Sequence, residues 1–436
     1  MALPIVAIVG RPNVGKSTLF NRIIRRREAI VDSTAGVTRD RHYTKTDWCG
    51  REFMIVDTGG YMIHFKNDID KGIKFQVEEA IDESDVVVFL TEVGTGVTDI
   101  DLVISKMLQK NRKPTIIVTN KVDSQKLKSD AIEFIKLGFG ESFAISALHG
   151  KGIGDLLDEI ISKLPQEKEL APDEDEISVA VLGKPNVGKS SIVNALFGKD
   201  KMLVTDIPGT TRDAVDTVIK RDGQKFRLID TAGLRKRKKV HENIEYYSTL
   251  RSLRSLDRCH VAVIIVDARE GIQVQDLKIL EMAVQAKRGI LIVLNKWDLV
   301  VKDDRTYIEI ERKVRDKLKN IDYISILSTS ALTRQRIFKI LDTCREIFAE
   351  WHKKVDTPKL NEMLERAVKI NHPPSYRGKM ITLKYVTQTG DAPPVFTFFV
   401  NYPKGVAENY IRYLHRQIRE NFGFGSVPIT LQFKKK

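Results

Sequence analysis

The segment "GRPNVGKS" at Gly10–Ser17 returns 173 positions later as "GKPNVGKS" at Gly183–Ser190. Each copy follows a short apolar run, "PIVAIV" or "ISVAVL", and opens into a stretch of helical pattern. The order is therefore strand, glycine turn, helix. Both copies satisfy the spacing G-x-x-x-x-G-K-[ST] of a phosphate-cradling loop. Gly10, Gly15, Gly183 and Gly188 let successive backbone N–H groups turn toward phosphate oxygens, with the positive end of the next helix behind them. Arg11, Pro12, Asn13 and Val14 complete the first loop, and Lys184, Pro185, Asn186 and Val187 the second. Lys16 and Lys189 reach the outer phosphates, while Ser17 and Ser190, followed by Thr18 and Ser191, offer hydroxyls to Mg²⁺. A single match can be an accidental glycine turn. Two in the same context commit the chain to two phosphate-binding α/β units.

Aligning the copies on these loops sets Thr38 opposite Thr211 and Asp57 opposite Asp230, at the same offset. Further on, "TNKVD" at Thr119–Asp123 pairs with "LNKWD" at Leu294–Asp298, and "ISALHG" from Ile145 with "TSALTR" from Thr329. The chain is an internal duplication with its insertions in loops. Apolar strands such as "VVVFL", "TIIVTN" and "GILIVLN" alternate with helical patterns, which predicts mainly parallel sheets covered on both faces. The acidic "PQEKELAPDEDE", residues 165–176, has no apolar periodicity and reads as a linker between residues 1–164 and 177–350. After Trp351 the pattern becomes α-β-β-α-β, so residues 351–436 form a small separate α+β domain.

The net charge of +14 is unevenly spread. Residues 1–164 balance 23 basic against 23 acidic side chains, whereas 177–350 carry 33 against 23 and 351–436 carry 15 against 6. A basic half suggests a polyanionic partner, with nucleic acid favoured over a membrane surface. No apolar run approaches the roughly 20 residues of a spanning helix. The N-terminus lacks a secretory pattern, and a cytoplasmic protein is expected. Cys49, Cys259 and Cys344 match neither a disulfide framework nor a zinc motif.

The Asn-Lys-x-Asp tetrads choose the base. An aspartate accepts from guanine's ring N–H and exocyclic amine, donors that adenine lacks in that place, so Asp123 and Asp298 read guanine. Lys121 and Lys296 pack along the base, Val122 and Trp297 fill the variable position, and Asn120 and Asn295 tie this loop to the phosphate loop. After Ser146 and Ser330, the N–H of Ala147 and Ala331 can donate to guanine O6. A polar group left unpaired costs about 1–3 kcal/mol, so several such contacts together exclude ATP. In "DTGG", Asp57, Thr58, Gly59 and Gly60 bring a carboxylate near the metal and a glycine N–H near the γ-phosphate. Asp230, Thr231, Ala232 and Gly233 repeat this in "DTAG". Thr38 and Thr211 can add an oxygen to Mg²⁺ when their loops close, and loops held by a γ-phosphate relax when it leaves.

Phosphate loop, switch threonine, DxxG, NKxD and SA, duplicated in tandem ahead of a small α+β domain, resemble the EngA/Der family of bacterial double GTPases over essentially the whole chain. The resemblance implies two P-loop GTPase domains and a KH-like domain. It also implies GTP hydrolysis to GDP with Mg²⁺, and binding of a monomer to ribosomal RNA in the large ribosomal subunit or its precursor. No G-x-x-G spacing occurs among Gly378, Gly390, Gly405, Gly423 and Gly425, so the usual KH grip on RNA is not encoded. Arg412, Arg416, Arg419 and the "FKKK" tail are the alternative phosphate contacts, or else a solvated basic face.

Where Ras-type enzymes carry a water-orienting glutamine after DxxG, this chain has Tyr61 and Leu234. The resemblance instead implies that Asn13 and Asn186 help hold K⁺ at each phosphate loop, although a loop asparagine can also act purely as a brace. A scaffold in which one site's hydrolysis is incidental is a competing reading. A tRNA-modifying relative of the TrmE type would carry a C-terminal cysteine motif, and no cysteine follows Cys344.

Overall fold

The computed structural model describes residues 3–28, 43–58, 77–78, 80–81, 84–165, 176–197, 204–208, 215–231, 245–301, 306–318, 321 and 323–435. The first sheet contains β1 (Ile5–Val9), β2 (Tyr43–Trp48), β3 (Arg51–Asp57), β4 (Val86–Glu92), β5 (Thr115–Asn120) and β6 (Phe143–Ala144), in the order β2-β3-β1-β4-β5-β6. All neighbours are parallel except β2 and β3. Its central strands are uninterrupted runs of buried residues, "IVAIV" in β1 and "VVVFLT" in β4, as expected when helices cover both faces. Helix α1 (Lys16–Glu28) leaves the end of β1, and α2 (Ile153–Lys163) buries Ile153, Leu156, Leu157 and Ile160.

The second sheet repeats this plan, with seven strands among the described residues. It comprises β7 (Glu176–Leu182), β8 (Val204–Pro208), β9 (Val215–Arg221), β10 (Gln224–Ile229), β11 (Val261–Asp267), β12 (Gly289–Asn295) and β13 (Ser325–Ser328). The order is β13-β12-β11-β7-β10-β9-β8, with antiparallel pairing confined to β8–β9 and β9–β10. Helix α3 (Lys189–Phe197) follows β7 as α1 follows β1. Of the acidic stretch, residues 166–175 lie outside the described residues, while Glu176 begins β7 and is paired with Arg227.

A third, three-stranded sheet carries the remaining chain. Helix α5 (Thr357–Ile370) follows α4 (Lys339–Trp351) and leads to β14 (Leu383–Asp391), β15 (Pro394–Val400), α6 (Glu408–Phe422) and β16 (Thr430–Lys435). β14 pairs antiparallel and β16 parallel with β15. This is the α-β-β-α-β order the sequence predicts. The core of the second sheet continues into this part through Ile347 and Trp351 of α4, Leu360 and Leu364 of α5, and Phe396, Phe398 and Leu414. Backbone bonds also join them, because Ser426 accepts from Ile290 N at 2.7 Å and its hydroxyl accepts from Ser325 N at 2.6 Å. Residues 171–243 and 252–436 belong to one compact unit, and residues 1–170 and 244–251 to another.

Among the described residues, no helix is long and apolar enough to cross a membrane.

Candidate functional site: two nucleotide-binding pockets

In each sheet the first strand of the repeat has parallel neighbours on both sides, β3 and β4 around β1 and β10 and β11 around β7. The chain therefore leaves β1 and β7 where the strand order reverses, and the crevice at the carboxyl ends of such strands is where α/β sheets take ligands. The loops Gly10–Ser17 and Gly183–Ser190 occupy that crevice.

Their backbone is unusual in the same places. Gly10 has φ +154°, Gly15 +95°, Gly183 +142° and Gly188 +97°. A Cβ on Gly10 or Gly183 would strike the carbonyl oxygen of Leu90 or Ile265, and one on Gly15 or Gly188 the amide nitrogen of Asn120 or Asn295. Asn13 and Asn186, both exposed, hold φ of 66° and 63°, the left-handed region that asparagine tolerates better than most non-glycine residues. Val14 and Val187 anchor the loops in the core.

Lys16 Nζ lies in the mouth of its loop, donating to the carbonyls of Gly10 and Arg11 at 2.8 Å each. Lys189 Nζ does the same to Gly183 and Lys184 at 2.6 and 2.7 Å. Burial pulls the Lys16 ammonium down to about 8, against the opposing pull of Asp57 and with help from Arg11. Ser17 Oγ donates to the buried Asp57 carboxylate at 2.5 Å, and Thr58 Oγ1 to Ile8 O at 2.8 Å. Asp230 directly follows β10 with φ 56°, its N–H donating to buried Asp216, and Thr231 shares a 2.7 Å bond with Thr217. Thr38, Gly59, Gly60, Tyr61, Thr211, Ala232, Gly233 and Leu234 lie outside the described residues.

The base-selecting motifs converge on the same crevices. Asn120 Nδ2 donates to Val14 O at 2.8 Å while its Oδ1 accepts from Ala147 N at 3.0 Å. Asn295 repeats both bonds, to Val187 O at 2.9 Å and from Ala331 N at 3.1 Å. One amide thus clamps three motifs. Val122 and Trp297 tie the tetrads to the SA loops by donating from their N–H to Ile145 O and Thr329 O. Ser146 Oγ donates to Asp123 Oδ1 at 2.7 Å, and Lys151 Nζ to Asp123 O at 2.9 Å. Asp298 is partly exposed on a short turn, Trp297–Leu299.

Two acidic residues were not singled out from sequence. Glu92 ends β4, receiving Lys121 Nζ at 2.8 Å and Arg11 at 3.3 Å, so it links base loop and phosphate loop. Asp267 ends β11 and receives Lys296 Nζ at 2.8 Å and Arg269 at 2.9 Å. Burial works to raise the Asp267 carboxyl, but hydrogen bonds from Arg269 and Lys296 outweigh it and hold it well below the usual range. The signal was available: Glu92 and Asp267 stand 175 positions apart, the spacing of the tetrads themselves. Among the arginines proposed from sequence as phosphate contacts, Arg419 turns inward, donating to the carbonyls of Phe424 and Val427 with its guanidinium 3.5 Å from the Tyr323 ring. The "FKKK" tail contributes Phe433, Lys434 and Lys435 to β16.

Residues 5–121 and 178–296 match the family model described as 50S ribosome-binding GTPase, and residues 354–434 match the KH-domain-like model of the C-terminal part of EngA bacterial GTPase enzymes. The chain belongs to the EngA/Der family of GTPases. GTPase Der of Chloroherpeton thalassium is 47% identical over 99% of this chain and all of that protein. The same-named proteins of Chlorobium luteolum and Caldanaerobacter subterraneus are 48% and 46% identical, over 99% and 100% of this chain and 100% and 99% of theirs. Among solved structures, Aquifex aeolicus Era bound to GDP·AlF4⁻ aligns with a TM-score of 0.31 at 19% identity, over 60% of this chain and 93% of that one. The family's tandem domains account for the two crevices built from one set of motifs.

Proposed function

We propose that the chain hydrolyses GTP at both pockets and uses the two nucleotide states to control its association with the large ribosomal subunit or its precursor. The observation that carries this is the doubled amide clamp: Asn120 and Asn295 each hold a phosphate loop, a guanine-reading tetrad and an SA loop in one crevice. We assign residues 1–164 and 177–350 to the two GTPase domains, 165–176 to the linker and 351–436 to the KH-like domain.

Within each pocket the loop N–H groups and Lys16 or Lys189 hold the β- and γ-phosphates, Asp123 or Asp298 holds the base, and Ala147 or Ala331 donates to O6. The Ser17 hydroxyl against the Asp57 carboxylate is a hard-oxygen pair that fits Mg²⁺, with Thr38 as a further ligand; Ser190, Asp230 and Thr211 are their counterparts. Held by these oxygens, a magnesium ion would supply positive charge to offset the negative charge that develops on the phosphates. Gly60 and Gly233 donate their N–H groups to the γ-phosphate. With Tyr61 and Leu234 after DxxG, neither site has a glutamine to orient water; the family resemblance gives Asn13 and Asn186, exposed on their loops, the role of helping to hold K⁺ as added positive charge.

Sedimentation with 50S subunits under GTP, GDP and a non-hydrolysable analogue tests the reading. Association should depend on nucleotide and reside in residues 177–436, where the excess charge lies; equal binding in all three states contradicts the switch. Hydrolysis should be faster in KCl than in matched NaCl, and Asn13→Ala or Asn186→Ala should remove that difference at its own site. Weaker nucleotide binding with unchanged ion preference would make each asparagine a brace.

A further inference from the structure

The KH-like part has no G-x-x-G loop, yet one end of its sheet carries a cationic, aromatic surface built from two interlocked loops. Residues 371–382 join α5 to β14, and residues 401–407 join β15 to α6. Tyr376 and Lys379 exchange both backbone bonds, at 2.9 and 3.0 Å, across Arg377 and Gly378, whose φ of 50° and 74° make a two-residue turn with both central residues left-handed. Asn401 locks this hairpin to its neighbour: its Oδ1 accepts from Thr382 N at 3.0 Å and its Nδ2 donates to Met380 O at 2.9 Å. Gly405 completes the joint, because the Tyr376 ring lies 2.7 Å from where a Cβ on that residue would stand.

The fixed loops present their side chains outward. Met380 is 79% exposed and Tyr402 36%, with Arg377, Lys379 and Lys404 exposed around them. Arg377 stands 5.3 Å from the Tyr376 ring and Lys379 5.4 Å from the Tyr402 ring. Residues 371–384 and 401–407 contain no aspartate or glutamate. Three cations on loops that carry no carboxylate of their own suit a polyanion. An exposed aromatic and a thioether held among them suit the flat faces of unpaired bases, which stack on such side chains whatever their sequence.

We propose that this surface binds single-stranded RNA, with bases against Tyr402 and Met380 and phosphates on Arg377, Lys379 and Lys404. The inference rests on the ribosomal reading above, for which it supplies the RNA-contacting surface.

The test is fluorescence anisotropy of a labelled oligouridine of about ten nucleotides with the full chain at low salt. Tyr402→Ala should weaken binding by about fivefold to a hundredfold, and Tyr402→Phe should keep it within about twofold, since stacking needs the ring and not the hydroxyl. Lys379→Ala should reduce the slope of log K against log salt by about 0.7, one phosphate's worth on a single strand. Wild-type affinity in Tyr402→Ala and Lys379→Ala, or no binding by the wild-type chain, overturns the proposal. So does capture of phosphatidylserine vesicles that these variants abolish while RNA binding is unchanged. Parallel sedimentation with 50S subunits separates the two readings. A wild-type chain that pellets with 50S while the variants keep full RNA affinity sinks this surface alone. A chain that fails to pellet in any nucleotide state sinks the ribosomal reading, and loss of RNA binding in the variants would still support the surface.

Discussion

Lys16 is a cation kept in reserve. Burial lowers it to about 8 from its ordinary 10.5, and a phosphate in the loop favours the ammonium again. Between those values, nucleotide binding at the first pocket must therefore take up a proton. Affinity there should fall by up to about tenfold per pH unit above 8. Calorimetry near pH ~9 in two buffers of different ionisation enthalpy, with the second pocket disabled by Asp298→Asn, reads the proton directly, and no uptake would contradict the assignment. Asp123 is a second single-residue lever. Asp123→Asn replaces an acceptor with an amide that suits xanthine's extra carbonyl, so the first pocket should lose GTP and gain preference for xanthosine triphosphate. Unchanged guanine preference in competition binding would remove Asp123 from the base site.

At the scale of elements, the pockets depend on a strand end rather than on any one loop. β5 and β12 finish in Asn120 and Asn295, whose amides satisfy a carbonyl of the phosphate loop and an N–H of the SA loop together. Truncating either leaves a buried loop carbonyl and an SA-loop N–H without these partners, at about 1–3 kcal/mol for each group that stays out of water. Asn120→Ala and Asn295→Ala should therefore loosen both loops of their own pocket. Faster amide exchange at Val14–Ser17 and Ala147, or at Val187–Ser190 and Ala331, with nucleotide affinity down at least tenfold, is the expected readout. Loosening of one loop alone would show that the clamp is not shared. These motifs were legible in sequence because their chemistry is local: glycines for a tight turn, a lysine at fixed spacing, a carboxylate at a strand end. Glu92 and Asp267 were fainter, since each is a lone acid at the end of an apolar run, marked only by the spacing it shares with the tetrads until the sheet brings a lysine beside it.

Across the whole molecule, the second sheet and the KH-like part share a core, and two half-buried histidines, His260 and His415, lie in that unit. His260 is lowered to about 4 by burial, with His352 and Arg288 adding and Glu176 opposing; its Nδ1 accepts from Ser178 N at 3.1 Å, a bond only the neutral ring can take. His415 is lowered to about 4 by burial and by Arg419. A depressed folded value means the unfolded chain binds protons first as pH falls. Their contribution is intact above about 6.5 and is lost progressively toward 4, at about 1–2 kcal/mol per histidine by pH ~5. Thermal unfolding of the full chain, followed through Trp297 and Trp351 fluorescence, should move down by several degrees over that window. His260→Asn should shrink the shift, and a pH-independent midpoint would show both rings already accessible to protons in the native state. By itself the sequence determined the duplication, the parallel sheets, the guanine chemistry and the α-β-β-α-β ending, because each rests on short-range periodicity or on residues within one loop. Only the tertiary structure decided that Arg419 faces inward, that Ser426 closes onto β12 and β13, and that Tyr376 and Tyr402 share one surface. Those outcomes depend on which distant backbone groups need a partner once the sheets are packed, and no local pattern records that.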